Sequence, residues 1–294
     1  MAFLRKLFSK ISVFLEMIKF EHSVFALPFA YLGLFLAENG WPRWFLLFWV
    51  TVAMVSFRTL AMSLNRLIDR SIDALNPRTQ NRALPTGKIK ALFVWGCALG
   101  SLLVFEWSAY RLNSLCFRLS WIPVALAVCY PWTKRFTWFS HWVLGIILGI
   151  APCGAWIASK AALDVIPCFL TIGVTFWVAG FDIIYALQDL EFDRQFKLYS
   201  FPARFGVSAS LVMTEIMHGG AVIAWLVAGW LAGLGLVFLV GILGVTACLV
   251  RENWLIRTGG MSKIQEAFFI MNGIASIGLF VAVWLDLIVR GTRP

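Results

Sequence analysis

The sequence predicts an all-α, polytopic membrane protein: a bundle of about nine transmembrane helices around a central cavity that opens to the cytoplasmic side. Of its 294 residues, 61% are hydrophobic and 14% are charged, and the mean hydropathy is +0.82. Soluble domains carry about 25% charged residues. The apolar residues occur in blocks of about 20, the length that crosses a bilayer as a helix. We expect one membrane-embedded domain over residues 1–294.

The net charge of +10 also fits a membrane protein. Basic loops orient membrane helices, so the surplus needs no nucleic-acid partner, and we expect none. The six cysteines lack metal-site spacing and fall mostly within apolar runs, so they are interpreted as small apolar side chains. No cleavage-site pattern follows a short apolar core near the start, and we therefore expect no removable signal peptide.

Residues 1–20 do not form a span. Apolar residues at helical spacing alternate there with basic ones, a pattern typical of a helix that lies on the membrane surface. A helix packed on the protein itself is the alternative interpretation.

Nine candidate spans follow, and the fourth and eighth have the least distinct ends. They cover residues 22–38, 44–64, 91–110, 113–130, 141–159, 165–187, 209–229, 232–250 and 267–289. Assigning the loops alternately to the two sides places eighteen basic residues on one side and six on the other. The positive-inside rule then predicts a cytoplasmic N-terminus and cytoplasmic basic loops.

A first polar cluster follows directly after the second span. At 100° per residue, a helix places Asp69 about 40° and Asp73 about 80° from Asn65, so the three share one face. Two carboxylates suit Mg²⁺, which prefers one or two of them together with phosphate oxygens. The Arg- and Asn-rich stretch at 76–82 would complement an anion on the metal. An ordinary solvated helix end is the alternative.

A second cluster ends the sixth span. Asp182, Asp189 and Asp193 share one helical face, and Tyr185 lies about 60° away. Asp182 is inside the span, where a carboxylate is costly and indicates a functional site. Both clusters fall on the same predicted side of the membrane, which weakens the solvated-end alternative.

Other polar residues are candidates for the same cavity. Arg58 lies inside a span, two turns before Asn65 on the same face, and either points into the cavity or forms a structural ion pair. Lys134 and Arg135 could hold a diphosphate or belong to an ordinary basic loop. Asn272 could line the cavity, together with the neighbouring aromatic residues, or serve packing.

Two acidic faces around a cavity rimmed with cations suit an amphiphile with a diphosphate head. Bridging Mg²⁺ ions would reconcile the carboxylates with the diphosphate. The metal and the cations would stabilise the departing pyrophosphate. The face of the Tyr185 ring would stabilise an allylic cation. A membrane transporter or ion pathway that uses the intramembrane Arg and Asp residues is the rival hypothesis, although transporter sites lie near the bilayer midplane.

The pattern N-x3-D-x3-D at 65–73 and D-x2-Y-x3-D-x3-D at 182–193 resembles the UbiA superfamily of intramembrane aromatic prenyltransferases. Arg58 and the stretches 76–87, 130–137 and 205–206 match as well. The stretches 18–28 and 182–189 resemble the 4-hydroxybenzoate polyprenyltransferase branch. They look most like its relative in the futalosine route to menaquinone, which prenylates 1,4-dihydroxy-6-naphthoate.

This resemblance implies a nine-helix bundle, Mg²⁺, and transfer of a polyprenyl chain from its diphosphate to a ring carbon of an aromatic acid. The reaction would belong to ubiquinone or menaquinone biosynthesis, in a bacterial inner membrane. Within the enzyme class, a haem farnesyltransferase or a phosphatidyltransferase is the alternative, although the D-G-x2-A-R type motif expected of the latter is absent. The implied metal and diphosphate ligands are Asn65, Asp69, Asp73, Asp189 and Asp193, supported by Arg78, Lys134 and Arg135.

The acceptor carries a carboxylate, which we expect to pair with Arg58 or Lys19. Arg66 stands where many members of the superfamily have Asp. A helix turns residue 66 about 100° from the ligand face, so we expect Arg66 to remove no ligand.

Overall fold

The computed structural model describes residues 2–19, 23–264 and 266–291, with side chains from 10 to 19 and from 27 onward within those ranges. The regular structure in these ranges consists of helices only. The prediction of an all-α membrane bundle is therefore confirmed.

The described residues form thirteen α-helices: α1 (Ala2–Met17), α2 (Ser23–Glu38), α3 (Trp44–Ile68), α4 (Arg70–Leu75), α5 (Ala91–Leu112), α6 (Ser114–Leu119), α7 (Trp121–Thr133), α8 (Ser140–Lys160), α9 (Val165–Ala186), α10 (Leu190–Gln195), α11 (Phe201–Leu231), α12 (Leu236–Gly259) and α13 (Asn272–Val289). A 3₁₀ turn, Leu187–Asp189, joins α9 to α10. A second, Gly260–Lys263, follows α12, and a π-helical segment, Glu266–Met271, leads into α13.

Eight helical stretches of the described chain are long and apolar enough to cross a bilayer, and they coincide with eight of the nine predicted spans. The other prediction corresponds to α2, which contains the shorter apolar helix Leu27–Glu38. With 16 residues, α2 rises about 24 Å, less than the roughly 30 Å of a hydrocarbon core. Its predicted start at residue 22 lies outside the described residues. The count of nine full spans is therefore not confirmed.

Two predicted spans differ in detail from the observed helices. The span predicted at 113–130 is divided into α6 and α7, which meet at Ser120. The span predicted at 209–229 already begins at Phe201. Gly206 interrupts α11 with a φ of +82°, a conformation that glycine adopts at little cost. The chain is regularly helical only after Gly206, which agrees with the later start of the predicted span.

The described part of α1 packs against the protein. Phe14, Met17 and Ile18 are buried in a cluster with Leu84, Ile89 and Val94, while Ile11 and Leu15 are partly exposed. Of the two alternatives for residues 1–20, the helix packed on its own protein thus accounts for this buried face.

Small residues allow close helix contacts beside the core. A Cβ at Gly145 would lie 2.4 Å from the Thr175 carbonyl oxygen, and one at Gly149 would lie 2.4 Å from Thr175 Oγ1. Glycine therefore lets α8 approach the backbone of α9, as small residues commonly do between membrane helices. The adjoining core is built around Trp177 and Trp225, which α9 and α11 contribute.

A central cavity of about 1310 Å³ lies between these helices and the group formed by α3, α5 and α7. One end is lined by the polar ends of α3, α7 and α9. The other end is apolar and is lined by residues such as Met54, Leu112, Cys116, Gly154, Ile157 and Cys168. The fold thus joins a charged compartment to an apolar one.

Candidate active site

The first acidic cluster surrounds the break between α3 and α4. Asp69 leaves helical geometry with φ −85° and ψ 1°, yet its N–H bonds Asn65 O, and Asp73 N–H bonds Asp69 O. The four-residue spacing is therefore kept across the break. The side chains of Asn65, Asp69 and Asp73 line the cavity, as their shared face predicts.

The second acidic cluster lies across the cavity. α9 ends at Ala186, and the 3₁₀ turn and α10 follow it directly, without an intervening loop. The predicted residues Asp182, Tyr185, Asp189 and Asp193 line the cavity here. The structure thus brings both clusters to one space, although more than a hundred residues separate them.

An ion pair joins the two clusters. Arg78 Nε donates to Asp189 Oδ1 at 2.9 Å, and Arg78 Nη2 donates to the second oxygen. Asn76 Nδ2 also donates to Asp189 Oδ1, at 2.8 Å. The Arg78 guanidinium lies 5.3 Å from the centre of the Tyr185 ring. The loop after the first cluster is thereby fastened to the second.

The first cluster has basic partners of its own. Lys134 Nζ donates to Asp69 Oδ2 at 2.6 Å, and Arg82 Nη1 contacts both oxygens of Asp73 at 2.8 Å. Sequence reasoning missed Arg82 and Asn76 as site residues. Their signal was present in the Arg- and Asn-rich stretch that follows the first cluster.

These surroundings shift the pKa of two groups outside the membrane-spanning helices. Burial raises the pKa of Asp69 above its ordinary value, and Lys134 opposes this shift only in part. Burial lowers the pKa of Arg78, but the hydrogen bond and charge of Asp189 outweigh it, so the net shift is upward. Arg78 is therefore held firmly in its charged form.

The adjacent cations Lys134 and Arg135 point to different places. Lys134 lines the cavity. Arg135 Nη2 donates to the Ile68 carbonyl at 3.1 Å, and its guanidinium lies 4.3 Å from the centre of the Trp132 ring. Arg135 thus stabilises the end of α3, and it is not among the residues that line the cavity.

Asp182 has a histidine partner that sequence reasoning missed. His141 Nδ1 lies 2.7 Å from Asp182 Oδ2, and the Phe201 N–H donates to His141 Nε2 at 3.2 Å. Because Nε2 accepts a hydrogen bond, we assign the proton to Nδ1, which donates to the carboxylate. A buried imidazole therefore links α8, α9 and α11. An isolated histidine carried no signal in the sequence.

The remaining predicted residues are divided between the cavity and the core. Lys19 and Arg58 line the cavity. Arg66 also reaches it and donates to Asn65 Oδ1 at 3.1 Å, so its side chain bends back toward the cluster. Asn272 is buried away from the cavity lining and bonds Glu252. Phe268 lines the cavity, 4.4 Å from Tyr185 between ring centres.

The chain is similar to known proteins over most of its length. The model of the UbiA prenyltransferase family matches residues 26–274. A 4-hydroxybenzoate octaprenyltransferase from Pseudomonas fluorescens is 29% identical over 261 residues, which cover 88% of this chain and 86% of the relative. Another, from Pseudomonas putida, is 30% identical over 265 residues, covering 88% and 86%.

Solved structures agree with this match. The apo structure of a UbiA homologue from Aeropyrum pernix K1 has a TM-score of 0.83 and 30% identity, covering 90% of this chain and 98% of that one. A homologue from Archaeoglobus fulgidus, bound to GPP and Mg²⁺, has a TM-score of 0.65 and 18% identity, covering 92% and 99%; it shows the same fold. The chain therefore belongs to the UbiA prenyltransferase family and is a membrane-embedded prenyltransferase.

Proposed function

We propose that the protein transfers a polyprenyl chain from polyprenyl diphosphate to a ring carbon of an aromatic acid, in a Mg²⁺-dependent reaction of respiratory quinone biosynthesis. One observation carries the proposal: a single cavity has carboxylates and cations at one end and an apolar lining at the other. An amphiphile with a diphosphate head and a hydrocarbon tail matches both ends. The family assignment favours this enzyme over a transporter that uses the same charges.

The polar end fits a metal bridged by a diphosphate better than a metal held by protein alone. No group of three or more acidic, histidine or cysteine side chains among the described residues is placed to hold a metal ion. Asp69 Oδ1, however, is buried without a hydrogen-bond partner in the structure. Mg²⁺ is typically bound by one or two carboxylates plus phosphate oxygens. The ligand candidates are Asn65, Asp69, Asp73, Asp189 and Asp193.

Bound Mg²⁺ would neutralise the diphosphate and stabilise the departing pyrophosphate. Lys134, Arg82 and Arg78 form ion pairs with Asp69, Asp73 and Asp189, respectively. If these carboxylates bound Mg²⁺, the same cations would be placed to pair with the diphosphate oxygens. Binding of the metal and the diphosphate would therefore replace one set of ion pairs with another.

The reacting groups follow from this placement. The carbon–oxygen bond of the allylic diphosphate breaks, and its electron pair leaves with the pyrophosphate. The faces of Tyr185 and Phe268 stabilise the allylic cation, and a ring carbon of the acceptor supplies the electron pair of the new carbon–carbon bond. We place the released ring proton on Asp182, since its partner is a neutral imidazole and not a Lys or Arg.

The aromatic acceptor is an acid whose carboxylate pairs with Arg58 or Lys19, both of which line the cavity. The relatives are named for 4-hydroxybenzoate, whereas motif resemblance also favours 1,4-dihydroxy-6-naphthoate. We place the protein in a bacterial inner membrane, because the similar octaprenyltransferases come from Pseudomonas species. The distribution of basic loops supports a cytoplasmic position for the polar end of the cavity.

A membrane assay tests the proposal. Membranes with the protein receive Mg²⁺ and octaprenyl diphosphate with either 4-hydroxybenzoate or 1,4-dihydroxy-6-naphthoate, and matched samples receive a chelator. Prenylated product from one acceptor, abolished by the chelator, supports the reaction and assigns the acceptor. Folded protein that prenylates neither acceptor would overturn the proposal.

A further inference from the structure

A buried glutamate on α12 has no part in the proposed reaction. Glu252 is 0% exposed and is not among the residues that line the cavity. It lies in a membrane-spanning stretch, Leu236–Lys263. A carboxyl group in such a place is expensive, so its retention calls for a function or a partner.

The partner is Asn272, the first residue of α13. Asn272 Nδ2 donates to Glu252 Oε1 at 3.0 Å. Glu252 Oε2 and Asn272 Oδ1 are both buried, and neither has a hydrogen-bond partner among the described atoms. Both are acceptors if the carboxyl group is ionised. A proton on Oε2 would donate to Asn272 Oδ1 and satisfy both atoms at once, closing a ring of two hydrogen bonds.

The second N–H of the same amide holds the π-helical segment. Asn272 Nδ2 also donates to the Phe268 carbonyl at 3.0 Å. The two hydrogens of one amide group thus join Glu252 on α12 to the segment Glu266–Met271. π-helical turns are rare and occur frequently at functional sites.

This segment supplies the aromatic wall of the reaction site. The Phe268 ring lies 4.4 Å from the Tyr185 ring and 5.2 Å from the Phe181 ring, between ring centres. The Tyr185 hydroxyl accepts a hydrogen bond from Arg78 Nη1 at 3.3 Å. A continuous series of contacts therefore runs from Glu252 through Asn272 and Phe268 to Tyr185.

We propose that Glu252 is an un-ionised positioning residue that clamps Asn272, fixes the π-helical segment and thereby holds Phe268 against Tyr185 where the allylic cation forms. The inference rests on the proposed function for the role of the aromatic pair. It assigns a task to the buried carboxyl group that involves no contact with substrate.

Replacement at residue 252 tests the clamp. Glu252→Gln keeps a donor and an acceptor for Asn272 and should retain kcat within about twofold. Glu252→Leu removes both, and we expect kcat to fall about tenfold or more, because a misplaced group costs such factors, with a smaller change in the KM for the diphosphate. Equal loss in both variants, or no loss in Glu252→Leu, would overturn the proposal.

Asp286 provides a matched control. It is also buried and also joins α13 to α12, because it accepts hydrogen bonds from the Gly235 and Phe238 N–H groups at 2.9–3.0 Å. It lies fourteen residues from Asn272, about 21 Å along the helix. Asp286→Asn should lower the melting temperature in detergent but leave kcat unchanged. An equal fall of kcat in this variant would show that any weakening of the contact between α12 and α13 lowers kcat. It would contradict a specific role for Glu252.

A double-mutant cycle identifies the route. If Glu252 acts through Phe268, Glu252→Leu should cost little extra in a Phe268→Leu background. Full additivity of the two losses in kcat would contradict the route.

Infrared spectroscopy tests the protonation state without catalysis. The carbonyl stretch of an un-ionised carboxyl group should be present in the wild type at neutral pH and reduced in Glu252→Gln. An identical band in both proteins would refute the un-ionised state. Because this measurement needs no turnover, it separates a failure of the clamp from a failure of the proposed reaction.

Discussion

Arg78 and Asp189 are separated by 111 residues and form a two-contact ion pair across the cavity. The pair joins the loop after the first acidic cluster to the second cluster. It also places a cation where two acidic faces would otherwise repel one another. Lys134 on Asp69 and Arg82 on Asp73 likewise pair a carboxylate of the first cluster with a cation.

The Arg78–Asp189 pair predicts that exchanging the two charges will not restore activity. Arg78→Lys keeps the charge but loses the planar two-contact geometry. We expect turnover to fall about ten- to hundredfold, the range for groups that orient metal ligands. The double variant Arg78→Asp, Asp189→Arg re-forms an ion pair but has no carboxylate at position 189, so it should remain inactive. Full activity of the exchanged protein would exclude Asp189 as a ligand.

Single losses at either acidic cluster should be nearly as severe as a double loss. Asp69→Ala or Asp189→Ala should lower kcat by about a thousandfold or more, and the double variant little further, as for groups that act as one unit. Asp164→Ala is a suitable control, because Asp164 is exposed and lies outside the cavity lining. Activity close to wild type in either single variant would rule out the mechanism of two clusters.

The paired carboxylates predict that Mg²⁺ and pyrophosphate will stabilise the protein jointly. Mg²⁺ alone or pyrophosphate alone would have to displace the ion pairs between the carboxylates and the cations of the site. Together, Mg²⁺ would give the carboxylates a new partner and pyrophosphate would give the cations one. A ligand present at 100 times its dissociation constant stabilises a protein by about 2.7 kcal/mol. Melting curves in detergent should show a rise with both that exceeds the sum of the separate rises. The joint effect should vanish in Asp69→Ala, and simple additivity in the wild type would contradict the exchange of ion pairs.

His141 is predicted to orient Asp182. His141→Leu leaves the Phe201 N–H and the Asp182 carboxylate without this partner, at a cost of about 1–3 kcal/mol for a buried unsatisfied group. We expect a lower melting temperature together with a lower kcat. His141→Asn keeps an N–H near the position of Nδ1 and should recover part of kcat. If both variants lose stability equally but turn over normally, His141 serves folding alone.

Gly154 is predicted to keep the apolar end of the cavity open. A Cβ there meets no heavy atom within 4 Å, and Gly154 lies about 20 Å along α8 from His141, at 1.5 Å per residue. A geranyl group cannot extend beyond about 12 Å, at roughly 1.5 Å per bond. Gly154→Trp should therefore impair transfer from octaprenyl diphosphate about tenfold or more, as blocked positioning does, and spare geranyl diphosphate.

The exposed Gly244 on α12 also has open space around it. Because it is not among the cavity-lining residues, Gly244→Trp controls for the added bulk. Equal activity of the Gly154 variant with both chain lengths would contradict this prediction.

Local sequence determined much of the site. Hydropathy placed the spans, since a bilayer demands helices of a given length and composition. The spacing of Asn65, Asp69 and Asp73 determined that they share a face, because a helix repeats every 3.6 residues. Sequence spacing also determined the face shared by Asp182, Asp189 and Asp193.

The tertiary structure alone decided which charges meet. Lys134 and Arg135 are adjacent in sequence, but only Lys134 contacts Asp69, while Arg135 caps the end of α3. His141 gained its role only when α8 packed beside α9. The periodicity of the sequence assigns a residue to one face of its own helix. It does not identify the helix that packs against that face. Partners 65 or 111 residues away are therefore chosen by packing.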